Sequence, residues 1–211
     1  MEFSLIQKII MFAPPVILAI TVHEAAHGYA ARHFGDFTAD KAGRITLNPF
    51  KHIDLFGTIL LPAMTILLGG ILFGWAKPVP VNFAALRNPK KDMLWVAAAG
   101  PASNFVMAII WAIVFKLTLS APENVAVPLA LMAKAGISIN IVLMVLNLLP
   151  LPPLDGGRIA VSLLPHDLAV RFAQIERFGF FILIALLFTG VLGKILDPLI
   201  AIVHGIIFSV F

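Results

Sequence analysis

Between Asp92 and Lys116 lie 23 consecutive residues, Met93 to Phe115, with no ionisable side chain. A helix needs about 20 apolar residues to cross the hydrocarbon core of a bilayer, so this run alone places the chain in a membrane. Other stretches read the same way. Another 23 residues separate Lys8 from Arg32, interrupted only by His23, Glu24 and His27. Leu55 to Ala76 is uncharged but broken by Pro62 and Gly69-Gly70, and Ala135 to Gly157 carries Asp155 and three prolines near its end. Phe178–Gly193 and Pro198–Phe211 are shorter and predict a tilted helical hairpin. The expected fold class is an all-α polytopic membrane protein: a helical bundle with a re-entrant segment and short extended, β-like membrane-associated loops.

Composition agrees. Hydrophobic residues make up 60% of the 211 and charged residues 12%, against roughly 45–50% and ~25% in soluble domains. That excludes a soluble enzyme, a disordered chain and a nucleic-acid module. The net charge of +4 is spread through loops, with no basic run to meet a polyanion. No repeat or low-complexity tract divides the chain, so residues 1–211 are expected to form a single membrane-embedded domain. The start, Met1 to Lys8, lacks the pattern of a removable signal peptide. There is no cysteine, so any metal must be held by His, Asp or Glu.

His23-Glu24-Ala25-Ala26-His27 is an H-E-x-x-H motif. On a helix, residues i and i+4 share a face, so both imidazoles can reach one Zn²⁺, with Glu24 placed to take a proton from water beside it. On a soluble helix such a trio is often only polar surface. Inside an apolar span each ionisable group costs roughly 2.5 kcal/mol or more and marks function. A catalytic zinc takes three protein ligands and leaves one position open. Asp155 is the best candidate for the third, in Asn147-Leu-Leu-Pro-Leu-Pro-Pro-Leu-Asp-Gly-Gly157. Pro150, Pro152 and Pro153 break the helix there, and unwound backbone inside a membrane is tolerated only where protein buries it or water reaches it. The alternatives are Asp155 as a helix cap and His204 as the third ligand. His33, His52 and His166, among polar or loop residues, are given no ligand role. Asn104, Asn140 and Asn147 also lie in the spans. Asn147 reads as a substrate or oxyanion contact, Asn104 equally as that or as interhelical packing, and Asn140 as packing.

Two loops stand out. Residues 41–54, KAGRITLNPFKHID, combine a β-type run (Arg44 to Leu47) with the turn former Asn48-Pro49. Residues 73–83, FGWAKPVPVNF, alternate Pro78 and Pro80 with valines, which forbids helix and predicts an extended edge able to accept a peptide strand, or simply a connector. Topology constrains the rest. If every apolar segment crossed, His23 and Asp155 would lie near opposite faces, so one crossing must be missing, and Leu55–Ala76 is the natural choice. Then only Lys8, Lys116, Lys134 and Lys194 of the fifteen Lys and Arg fall on one side. The basic side would be cytosolic, with the histidines roughly 8–14 Å in from Arg32 at 1.5 Å per residue.

HEAAH in an early apolar helix, GPASN (residues 100–104) opening a later one and NLLPLPPLDGG (147–157) together resemble the site-2 protease family of intramembrane zinc metalloproteases, over about Leu5 to Leu164. The resemblance implies that His23, His27 and Asp155 bind one zinc per chain, that Glu24 is the catalytic base, and that Asn147 helps hold the substrate strand. NPFKHID and GWAKPVPVN look like the compact, PDZ-lacking prokaryotic branch. The chain shows neither the extra helix that many members carry before HExxH nor a PDZ or CBS domain. The expected function is hydrolysis of peptide bonds of transmembrane protein substrates, within the lipid bilayer of the cell membrane and toward its cytosolic side. Neither the oligomeric state nor the substrate's identity is written in the sequence. The competing class is a non-catalytic membrane protein that binds or transports metal.

Overall fold

A computed structural model of the chain describes residues 4–60 and 76–210. Helix α1 (Leu5–His33) opens on a capping box, in which Ser4 Oγ accepts from the Gln7 N–H at 3.3 Å and Gln7 Oε1 from the Ser4 N–H at 2.8 Å. Two end donors that a helix cannot pair internally are thereby satisfied. The short α2 (Thr38–Lys41), a 3₁₀ turn (Pro49–Lys51) and a π-helical turn (Leu55–Leu60) follow. Ala76–Asn82 is extended and leads through a second 3₁₀ turn (Phe83–Ala85) into α3 (Pro89–Thr118). Then come α4 (Glu123–Asn147), α5 (Asp155–Leu163), α6 (His166–Ala173), α7 (Glu176–Phe188) and α8 (Val191–Val210).

The architecture is all-α. Among the described residues there is no strand: Ile45–Leu47 forms bends, and 76–82 is extended without a ladder partner. Four helices among the described residues are long and apolar enough to cross a membrane: Ile9–His33, Pro89–Thr118, Glu123–Asn147 and Val191–Ser209. Two differ in extent from the sequence expectation, for one reason. The expectation ends each span at a charged residue, but long charged side chains at the rim of a bundle can lie within a helix. Lys134 lies within α4, its ammonium 5.3 Å from the centre of the Phe115 ring, so that helix begins at Glu123 rather than Ala135. It stops at Asn147, before the prolines. Likewise α8 runs straight through Lys194, Asp197 and Pro198. The hairpin turn between α7 and α8 exists, with Gly190 at φ +71°, but α7 spans only ~20 Å at 1.5 Å per residue and cannot cross a ~30 Å core.

The core lies where α3, α4 and α8 meet: Ala108 and Ala112, then Ile137, Ile141, Met144 and Val145, then Leu192, Leu196 and Ile207. Alanines at the seam let backbones approach closely, which is how helices associate where no hydrophobic force drives them together. Helix α1 packs against both α3 and α4. Phe208, near the end of α8, meets Phe115, near the end of α3, with ring centroids 6.4 Å apart. Helix α8 therefore runs in the same sense as α3.

One end of the bundle gathers the connections. The Arg87 N–H donates to the Phe34 carbonyl (3.0 Å) and Lys90 Nζ to the Leu164 carbonyl (2.6 Å), which joins the end of α1, the start of α3 and the end of α5. The Lys77 N–H donates to the His52 carbonyl at 2.9 Å. Most of the segment expected to re-enter, Leu55–Ala76, lies outside the described residues, but this bond puts its two flanks side by side. Since α5 to α7 do not cross and α8 leads away, Lys194 belongs with the basic end, not with the far one. Only Lys8, Lys116 and Lys134 of the fifteen Lys and Arg then remain opposite.

With no native cysteine to interfere, single-cysteine variants test this arrangement. Lys51→Cys and Lys90→Cys should react with an impermeant maleimide from one side of the membrane and Ser120→Cys from the other. Labelling of positions 51 and 90 from opposite sides would contradict the fold.

Candidate metal centre

His23 and His27 lie one turn apart on α1, both buried, with ring centroids 4.7 Å apart and planes near perpendicular. Asp155 is the first residue of α5 and comes from the other end of the sequence. It arrives there because the chain beyond Asn147 folds back on itself. A Cβ at Gly156 would collide with the Leu148 carbonyl and one at Gly157 with the Pro152 backbone, so the break packs directly on the first turn of α5. Arg158 points out of the site, 5.0 Å over the Phe83 ring and 3.9 Å from Glu176 Oε1. Asp155 starts a helix but caps nothing. Its Oδ2 lies 3.2 Å from His23 Nε2 and 3.3 Å from His27 Nε2, and the two nitrogens are 3.1 Å apart.

The remote nitrogens decide what this cluster wants. His27 Nδ1 is 2.7 Å from the Val96 carbonyl, which can only accept, so Nδ1–H donates. His23 Nδ1 is 2.6 Å from Asn104 Oδ1. The amide of Asn104 is oriented by its own donors, since Nδ2 gives to the Ala19 carbonyl (3.2 Å) and to Asn140 Oδ1 (2.9 Å). Asn140 in turn donates to the Gly136 carbonyl at 2.8 Å. Both neutral imidazoles therefore carry their proton on Nδ1 and present a bare Nε2 inward. In that form two lone pairs and a carboxylate oxygen face one another, and Asp155 Oδ2 is buried without another hydrogen-bond partner. Three acceptors in such contact repel unless a cation joins them.

The donor set fits zinc. Two imidazole nitrogens and one carboxylate oxygen form a known catalytic type, and tetrahedral ligands at 2.0–2.1 Å stand about 3.3 Å apart, close to the separations found. Among the described residues this is the group of His, Asp and Glu side chains able to hold a metal. His204 is exposed and stacks on Phe208 at 4.4 Å. His52 is turned to the Thr46 carbonyl. Gly100 on α3 closes the back of the cluster. A Cβ there would clash with His27 Nε2 and stand 2.6 Å from His23 Nε2, filling space that a bound ion would need.

Glu24 lies beside the cluster and its Oε2 accepts from the Val79 N–H at 2.7 Å. Val79 belongs to the extended Ala76–Asn82 stretch, which is strapped down along its length. Arg44 Nη2 donates to the carbonyls of Lys77 (2.9 Å) and Pro78 (3.3 Å). Asp36, fully buried, accepts from the Asn82 N–H at 2.6 Å. Sequence reasoning gave Arg44 and Asp36 no role, because nothing in their local pattern announces a partner some forty residues away.

The asparagines divide. Asn104 has no exposed surface and its oxygen and both amide hydrogens are engaged, so it has no donor left for a substrate or oxyanion and instead orients His23. Asn140 is likewise fully buried and braces Asn104. Asn147 is only half-buried and gives one hydrogen to the Leu143 carbonyl at 3.0 Å.

Gly100→Ala should abolish stoichiometric zinc binding by the purified protein, measured by elemental analysis, while helix content by circular dichroism stays unchanged. Retention of one zinc per chain would show that the glycine does not shape the cavity.

Comparison with known proteins gives consistent results. The sequence pattern of peptidase family M50 matches residues 116–189. YwhC of Bacillus subtilis (strain 168), provisionally named a zinc metalloprotease, is 41% identical over 190 residues, covering 87% of this chain and 83% of that protein. Rip2 of Mycolicibacterium smegmatis, provisionally named likewise, is 32% identical over 183 residues, 84% of this chain and 66% of its own length. Rip2 of Mycobacterium tuberculosis (strain ATCC 25618 / H37Rv) is 30% identical over 154 residues, 71% of this chain and 54% of its own. No solved structure was found to match.

Proposed function

Because the chain belongs to peptidase family M50, the site-2 protease family, we propose that it is a zinc endopeptidase that hydrolyses peptide bonds of transmembrane proteins within the bilayer. The reading rests chiefly on one observation: three buried ligand atoms, His23 Nε2, His27 Nε2 and Asp155 Oδ2, converge to within 3.1–3.3 Å of one another while both Nδ1 atoms are engaged outward. These would hold one Zn²⁺ per chain, and residues 1–211 would act as one membrane-embedded catalytic domain.

A zinc ion held there supplies Lewis acidity, polarising a carbonyl and bringing the pKa of water toward ~7. The protein's own groups do the rest. Glu24 accepts the proton of the attacking water and returns it to the departing amine. His23 and His27 are kept in the correct tautomer by Asn104 and the Val96 carbonyl, an outer layer whose loss commonly costs tenfold or more in affinity or activity. Asn147 keeps one amide hydrogen unspent among the described residues and would contact the substrate. A transmembrane helix shields its own peptide bonds, so the substrate must be unwound before attack. The extended Ala76–Asn82 stretch beside Glu24 offers main-chain groups to receive the unwound strand.

The histidines lie six and ten residues before the end of α1 at His33, about 9 and 15 Å deep at 1.5 Å per residue. The site is thus sunk below the basic end of the bundle, and the bias of Lys and Arg to that end supports a cytosolic orientation.

Glu24→Gln separates catalysis from metal binding. In proteoliposomes containing a transmembrane peptide, that variant should keep its zinc and lose cleavage by about a hundredfold or more, whereas His23→Ala should lose both. A Glu24→Gln protein that works at the wild-type rate would point to a structural or transport site.

A further inference from the structure

We propose that the main-chain N–H of Val79 is a positioning group for the catalytic base, so that the segment receiving the substrate strand also sets the aim of Glu24. This rests on the protease reading above and extends it to a residue whose side chain has no chemistry of its own.

The contact is a charge-assisted hydrogen bond of 2.7 Å from a backbone amide to Glu24 Oε2, the stronger kind. It leaves the second carboxylate oxygen clear for water. Without it, a glutamate with three free torsions would be distributed over many rotamers, few of which aim the carboxylate at the site. The donor is rigid. Pro78 and Pro80 fix φ on either side of Val79, and the stretch is tied to three separate elements through Arg44, His52 and Asp36. The Val79 side chain is buried and seats against Gly28, one turn beyond Glu24 on α1, where an added Cβ would come within 3.3 Å of Val79 Cγ1.

The prolines also ration the donors. Between Ala76 and Asn82 only Lys77, Val79 and Val81 possess an N–H. The first is given to His52 and the second to Glu24. Among the described residues the third has no partner and remains for an incoming strand. One short stretch therefore carries the amide that holds the base and, two residues on, an amide that can hold the substrate. A strand pairing at Val81 is laid in fixed register against Glu24.

The test uses the full chain in proteoliposomes, with cleavage of a transmembrane peptide and zinc content measured on the same preparations. Val79→Pro removes the N–H while keeping an extended backbone, and Val79→Ala keeps the N–H while removing the buried side chain. Val79→Pro should show kcat at least tenfold below that of Val79→Ala, with KM within about twofold and one zinc per chain in both. A loss confined to packing would lower both alike or act through KM and zinc. Equal kcat in the two zinc-loaded variants would overturn the proposal. Should the proline variant not fold, replacing Val79 by its α-hydroxy analogue deletes the same hydrogen without adding a ring, and the same tenfold fall in kcat is expected. Failure of the parent reading is distinct: wild-type protein that takes up no zinc, or Glu24→Gln that cleaves normally, removes the base that Val79 would position.

Discussion

The centre depends on where the two imidazoles place their Nδ1 protons. Each imidazole spends its Nδ1–H on a fixed acceptor, Asn104 Oδ1 or the Val96 carbonyl, which in the neutral ring leaves Nε2 bare and points its lone pair at the other ring and at Asp155. Were either acceptor absent, the ring could flip or exchange tautomers and the cluster would quench itself with internal hydrogen bonds. The outer partners thus keep the inner atoms unsatisfied, and the rest of the bundle keeps the outer partners in place.

That support crosses three helices. His23 on α1 leans on Asn104 of α3, which leans on Asn140 of α4, which ends on the carbonyl of Gly136 in its own helix. Interhelical hydrogen bonds in membranes average only about 0.6 kcal/mol, so these amides contribute modestly to holding the bundle together. Their contribution is directional: each has a single orientation that satisfies its neighbours. Alanines and glycines do the complementary work, since Ala108, Ala112, Gly100 and Gly136 bring the backbones close enough for short side chains to reach across.

Much of this was legible in the residues. Ionisable groups are expensive in an apolar span, so His23, Glu24, His27 and Asp155 stood out against their surroundings, and the absence of cysteine limited the ligand types. The need to bring residues 23 and 155 together pointed to a missing crossing, and the Lys77–His52 bond agrees with it. The errors have a common origin in treating charge as a boundary. Lys134 and Lys194 sit inside helices, because a side chain with a long apolar stem can carry its ammonium away from the hydrocarbon. The duty of Asn104 was invisible for a different reason. An asparagine's role is set by whichever groups face it from other helices, and one sequence holds no record of those. The Glu24–Val79 bond was hidden more deeply, since backbone donors look alike at every position except proline.

The clasp between Lys77 and His52 has a bearing on how such a protein can change over time. Because residues 52 and 77 are joined directly, a change in the number of residues between them need not move anything downstream. Adding residues to an excursion with closed ends costs little, about 0.6 kcal/mol for each doubling of a flexible loop. An insertion or deletion between residues 52 and 77 would therefore leave the proline-bearing stretch that follows in the same seat over α1.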